Sequence, residues 1–318
     1  MRRTYVTLAT ENYHYLALFL AKSLKKYSSY DINVFCLNYS PNESGLEIPD
    51  GVNFHKIDYE INEEGLGFEE LPDGNFYVHR RNPRIFQITS RKPESCIRVL
   101  EMGYDEVCFI DCDSIACPNI DEIFDHSNNI KNLPLLTKGP HEFVMVPDDE
   151  DNLRGNPFEG CWPFQDITKT LEWPMMQFLQ VDISQRGEYR TGNLFIANNS
   201  CLPFLKTFEE FLNVLWKLVD VYYYCPFQEE TLLNVLIWKH GGDGLPMSYI
   251  NLNEGAESVK KFYEINVEED TFLSEFLKIP KDKNQIKVLH GEKREQELEK
   301  IIQHLDFLKE KGYFDLKL

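Results

Sequence analysis

Apolar and polar positions alternate at two different periods along this chain. Tyr5 to Ala9 is a short β-prone run that closes on the polar turn Thr10-Glu11-Asn12. Tyr15 to Tyr27 then places Leu16, Leu20, Leu24 and Tyr27 on one helical face. Ile32–Leu37 and Val52–Ile57 read as a second and a third strand. This strand–turn–helix–strand opening is the βαβ pattern of a parallel sheet covered by helices. Ligands of such sheets bind beyond the carboxyl ends of the strands, which puts the Thr10–Tyr13 turn in the expected site.

Farther on, Arg91 to Met102 carries Cys96, Ile97 and Leu100 at helical spacing, and Gly103 stands where a helix stops. Glu106–Ile110 is an apolar strand that ends on Asp111-Cys112-Asp113-Ser114. Leu194–Ala197 predicts another strand, followed by an apolar helix from Leu202 to about Val221. Gln228–Lys239 predicts a helix with Leu232, Leu233 and Leu236 inward, stopped by Gly241-Gly242. Ile286–Leu289 reads as a short strand ending on His290. A charged helix follows over Arg294–Lys311, with Leu298, Ile301, Ile302, Leu305 and Leu308 on one face and Gly312 as the stop. The predicted fold class is α/β: a mostly parallel, Rossmann-like sheet with flanking helices, in one domain over residues 1–318. Loop insertions are expected near 60–82 and 145–185, with Glu60–Asn75 rich in Glu and Gly and Pro147–Phe164 acidic and aperiodic.

Composition narrows the function. A formal net charge of -19 repels nucleic acid and anionic lipid, so no polyanion partner is expected. An acidic protein that binds a phosphorylated ligand needs positive charge concentrated locally, from a metal ion or a few basic side chains. The eight cysteines form no CxxC pair, and several lie inside apolar runs, which fits a reducing, cytoplasmic setting. No apolar run approaches bilayer length, and the basic start Met1-Arg2-Arg3 lacks the apolar core of a secretion signal.

The chemistry concentrates at Asp111 and Asp113. Two carboxylates at the end of an apolar strand repel each other unless a cation lies between them, and a divalent ion with oxygen ligands removes the conflict. A polar turn after a buried strand accounts for the pair equally well when it is taken alone.

The text around the pair resembles the GT-A glycosyltransferases, in particular the family of glycogenin and bacterial galactosyl- and glucosyltransferases. Its helix start, its "Y-D-K-V-L-Y-L-D-A-D" and its "D-L-D-E-L-F" stand here as Arg91-Lys92-Pro93, Tyr104 to Asp113 and Asn119 to Phe124. Thr10-Glu11-Asn12-Tyr13 resembles the family's nucleotide-binding "D-D-N-Y", and Tyr189 to Ile196 its "F-N-S-G-V-L-V-I-N". Glu229 to Asn234 resembles "D-E-T-L-L-N", and Val288 to Lys293 the final "H-F-x-G-x-x-K-P-W". Thr10 replaces the first acid of the turn, Glu229-Glu230 replace an Asp-Gln pair, and no Pro-Trp follows Lys293.

The resemblance implies a metal-dependent enzyme that takes a sugar from a nucleoside-diphosphate sugar, a UDP-sugar by preference. It implies Asp111, Asp113 and His290 as ligands of Mn²⁺ or Mg²⁺. It places Ala9, Thr10, Asn12, Tyr13, Lys92, Asp111, Cys112, Gly192, Gly291 and Lys293 around the donor, with Glu229 and Glu230 near the transferred sugar. Oxygen ligands plus one imidazole suit Mn²⁺. The acceptor, the sugar and the stereochemical course stay open, with acceptor contacts expected from loops 60–82 and 145–185.

Plainer readings stand beside these. Lys92 is also an ordinary helix-start lysine, Tyr13 a staple onto the first helix, and His290 a core histidine. Glu229 and Glu230 also complement the positive end of a helix. The rival functions are a haloacid-dehalogenase-like phosphatase, a nucleotidyltransferase and a non-enzymatic nucleotide- or sugar-binding protein. The phosphatase normally carries Gly-Thr after its second aspartate, where Ser114-Ile115 stands here. The nucleotidyltransferase needs a Gly-rich phosphate loop, which is missing near the first strand.

Overall fold

The computed structural model describes residues 1–61, 69–70, 76–77, 83–116, 120–137, 172–187, 189–218, 221–225, 227–241 and 288–290. β1 (Arg3–Thr10) leads through a 3-10 turn into α1 (His14–Tyr27), followed by β2 (Asp31–Leu37), α2 (Pro41–Ser44) and β3 (Val52–Ile57). β4 (Glu69–Glu70) and β5 (Phe76–Tyr77) make a small antiparallel pair. Then come α3 (Pro83–Thr89), α4 (Lys92–Glu101), β6 (Glu106–Ile110), β7 (Ser114–Ala116) and 3-10 turns over Ile120–Asn129. The remaining elements are β8 (Leu135–Thr137), α5 (Trp173–Phe178), β9 (Thr191–Asn198), α6 (Leu202–Leu218), α7 (Val221–Tyr224), α8 (Glu229–Lys239) and β10 (Val288–His290).

Six strands form one sheet in the order β3-β2-β1-β6-β9-β8. The β3, β2, β1 and β6 pairings are parallel, while β9 runs antiparallel to both β6 and β8. The fold is therefore α/β with a mostly parallel sheet and flanking helices, as the periodicity predicts.

Strand alternation sorts the core into two layers. Val6, Leu8, Phe35, Leu37, Val107, Phe109, Phe195 and Ala197 face α4, α6 and α8. Tyr5, Ala9, Val34, Cys36, Cys108, Ile110, Leu194 and Ile196 face α1 and the 3-10 segment. That segment buries Ile120, Ile123 and Phe124, and the three-residue step from Ile120 to Ile123 suits a 3-10 repeat. In α4, Pro93 sits in the first turn, Glu94 stands near the positive end and Arg98 pairs with it one turn later.

Several elements depart from the pattern. Trp173–Phe178, expected inside the 145–185 insertion, is a helix with Met175 and Met176 fully buried in the core. Adjacent methionines carry no periodic signal, so the stretch reads as loop. The α8 helix is buried on every side from Glu229 to Trp238 and not along one stripe, because it lies between the sheet and its neighbouring helices. The last strand spans Val288–His290, so His290 lies inside it, and it pairs with β7 in a separate two-stranded sheet. Pro147–Phe164 and the expected Arg294–Lys311 helix lie outside the described residues, as does most of 60–82. The six described cysteines are free thiols, five of them buried. Among the described residues no helix is long and apolar enough to cross a membrane.

Candidate active site

The sheet order makes β1 and β6 neighbours, although α1 and α4, the helices beside them, cover opposite faces. A crevice opens at the carboxyl ends of strands where the chain departs in opposite directions. The turn Glu11–Tyr13 follows β1 there, and Asp111-Cys112-Asp113 follows β6. The antiparallel β9 brings its own amino end to the same rim, since Ile110 pairs with Leu194 and the Asp111 amide donates to the Asn193 carbonyl at 2.9 Å.

Lys92, at the start of α4, is buried beneath this rim. Its Nζ lies 2.9 Å from Asp111 Oδ1, 3.2 Å from Asp111 Oδ2 and 2.6 Å from Glu229 Oε1. The same ammonium is 5.5 Å from the centre of the Phe109 ring. Burial alone lowers a lysine pKa, but the Asp111 and Glu229 carboxylates outweigh it and hold Lys92 above its ordinary value, so it is charged. Asp111 reaches Lys92 because it continues the odd-numbered row of β6, after Val107 and Phe109, on the α4 and α8 side.

Glu229 Oε2 is buried with no hydrogen-bond partner among the described residues. Glu230, next along α8, accepts from the Gly192 amide at 2.7 Å. Asn234, one turn later, clamps the two segments: its Oδ1 accepts from the Arg190 amide, and its Nδ2 donates to the Arg190 and Glu230 carbonyls. Lys92, Asp111, Gly192, Glu229 and Glu230, read separately from the sequence, therefore form one connected cluster.

Asp113 is buried two residues beyond Asp111. The backbone of His290 pairs with Ser114, so the far end of the chain runs directly beside the aspartates. The side chain of His290, and the whole of Gly291 and Lys293, lie outside the described residues. Among the described residues no group of three His, Cys, Asp or Glu side chains is placed to hold a metal ion. Asp111 and Asp113 stand two residues apart just beyond β6, and carboxylates are the hard oxygen donors that a divalent cation takes.

On the β1 side, Ala9 is buried and pairs with Cys36 in β2, and Thr10 ends the strand opposite Leu37. Asn12 is exposed on the turn, while Tyr13 and Cys112 are half-buried against the α1 layer. That placement fits both the staple onto the first helix and a position around the donor. His14, absent from the sequence reading, is buried between Tyr39 Oη at 3.0 Å and the Glu47 carbonyl at 3.1 Å. Its position at the start of an amphipathic helix looks polar in sequence, and only packing reveals it as a core group.

Two residues show features that only the fold reveals. Gly192 is not demanded by its protein neighbours, since a Cβ there would lie 3.5 Å from Glu230 Cβ and Cγ, an ordinary contact. Gly192→Ala is thus expected to melt within about 1 kcal/mol of wild type. A loss of donor affinity without that stability loss would mark the glycine as making room for ligand. Gln228 carries no motif signal, yet it takes φ 59 and ψ -135 immediately before Glu229. Such a conformation costs a residue with a Cβ about 1–3 kcal/mol.

The chain matches no protein-family model and no curated protein.

Proposed function

We propose that this chain is a metal-dependent glycosyltransferase of the GT-A type, moving a sugar from a nucleoside-diphosphate sugar, a UDP-sugar in the first instance, to an acceptor. The observation that supports this most is the buried bridge from Lys92 to Asp111 and Glu229 at the β1/β6 crevice. A structural ion pair has no need to sit at the carboxyl rim of a parallel sheet, where ligands of this architecture bind.

Breaking the bond between a sugar and a diphosphate builds negative charge on the leaving phosphate. Lys92 is a permanent cation at the rim and stabilises that charge as it develops. Glu229 Oε2, unpartnered among the described residues, is the acceptor offered to a sugar hydroxyl, and Glu230, which accepts from the Gly192 amide, stands beside it on α8. Asp111, Asp113 and His290 would hold Mn²⁺, which supplies Lewis-acid neutralisation of the diphosphate when bound. Ala9, Thr10, Asn12 and Tyr13 bound the nucleoside end of the crevice. Cys112 lies between the aspartates in sequence, and Gly291 and Lys293 are assigned to the diphosphate by the motif that they share with His290.

Thermal denaturation with UDP, GDP or CMP in the presence of Mn²⁺ tests the reading. UDP at a hundred times its Kd is expected to stabilise the fold by about 2.7 kcal/mol by mass action, with little effect of GDP or CMP. UDP-sugar hydrolysis is measured alongside hydrolysis of a generic phosphate monoester. No UDP protection together with phosphatase turnover at Asp111 would assign the site to the phosphatase class instead.

A further inference from the structure

We propose that Gln228 is a positioning residue of this site, holding Glu229 and Glu230 in place through a backbone conformation that opposes folding. This rests on the glycosyltransferase reading for its function, but its structural half stands alone.

The residue before a helix normally caps it with a short polar side chain. Gln228 makes no such cap. Its side-chain Oε1 instead accepts from Thr89 Oγ1 at 3.3 Å, reaching across to α3, three residues before Lys92. Its amide donates to the Cys225 carbonyl at 2.8 Å, which closes a tight turn into α8. Phe227 is fixed as well, its amide donating to Thr231 Oγ1 at 3.2 Å while its carbonyl accepts from the Glu230 amide at 3.3 Å.

These bonds over-determine a conformation that only glycine adopts without a Cβ penalty. The consequence is geometric. The chain leaves the turn with its direction set so that the first two residues of α8 put Glu229 on Lys92 and Glu230 on the Gly192 amide. The Thr89 link ties that turn to the corner from which Lys92 projects. The two halves of the bridge are thereby held by one residue, which touches neither of them through its side chain.

Two substitutions separate strain from positioning. Gln228→Gly removes both the Cβ penalty and the Thr89 link. It is expected to raise the melting temperature by roughly 1–3 °C. It is also expected to lower kcat for UDP-sugar hydrolysis about 10-fold, with KM and UDP affinity within about twofold, as loss of transition-state geometry alone would do. Gln228→Ala keeps the strained φ without the link, so it is expected to melt lower than wild type and to lose kcat as well. A Gln228→Gly protein that melts lower, or one that keeps wild-type kcat, overturns the proposal. If wild-type protein neither binds nor hydrolyses UDP-sugars, the glycosyltransferase reading itself fails, and the positioning role falls with it. That outcome is told apart because it is seen before any substitution is made.

Discussion

Asp113→Ala is expected to fold normally and to lose UDP-sugar turnover by about 10³-fold, the scale on which removing one electrostatic stabiliser acts. The fold should survive because the side chain stands in the short connection between β6 and β7 and belongs to neither apolar layer of the core. Turnover should not, because Asp113 is one of the carboxylates proposed to hold the cation opposite the diphosphate. Circular dichroism melts and a hydrolysis assay with UDP-hexose and Mn²⁺ check the two halves separately. The wild-type protein should fall to the same level in EDTA and recover on adding Mn²⁺. Full turnover in EDTA, or in the variant, removes the metal from the mechanism.

Lys92→Met is expected to cost about 3–5 kcal/mol of stability, because it takes the ammonium away from the buried Glu229 carboxylate and from Asp111 beside it. Adding Glu229→Gln should return much of that loss, since the second change removes one of the stranded charges. The pH dependence gives an independent signature. In the wild type the folded pKa of Lys92 is raised above its unfolded value of 10.5, so its contribution is complete below that pH and lost only as pH climbs through the folded value. Wild-type stability should therefore show no change from this pair between about pH 6 and 9. In Lys92→Met this titration is absent, so the fall in stability as pH climbs past about 10.5 should be smaller than in wild type. Equilibrium unfolding in urea across pH reads both. A variant as stable as wild type at pH 8 would mean that the bridge is solvated and contributes little.

The site was legible in the sequence to the extent that its parts lie on recognisable local patterns. Asp111 and Asp113 stand out because an apolar strand ends on them, and Lys92 because a proline follows it at a helix start. Glu229 and Glu230 are visible as acids opening an apolar helix. Gln228 was invisible, since a positive φ at a glutamine has no sequence signature, and its partner Thr89 lies in a helix whose short pattern gave no periodic signal. His14 and Tyr39 were missed for a related reason: a polar residue that finds its partners across the fold looks solvent-facing in sequence. Gly192 is visible as a glycine inside a strand pattern, but its meeting with Glu230, and the room left there for a methyl group, belong to the fold.

What the sequence determined by itself is the set of elements and the two faces of each. A period of two divides Val107 and Phe109 from Cys108 and Ile110, and a period of 3.6 places Leu20 and Leu24 inward, whatever the strands' order. The tertiary structure decided the rest: that β6 lies beside β1, that β9 runs antiparallel to it, and that α8 is enclosed on every side. Those choices join Lys92, Asp111 and Glu229, although more than a hundred residues separate Asp111 from Glu229. No local period can encode such a meeting. It depends on which faces are buried against each other, and that is settled only when the whole core packs.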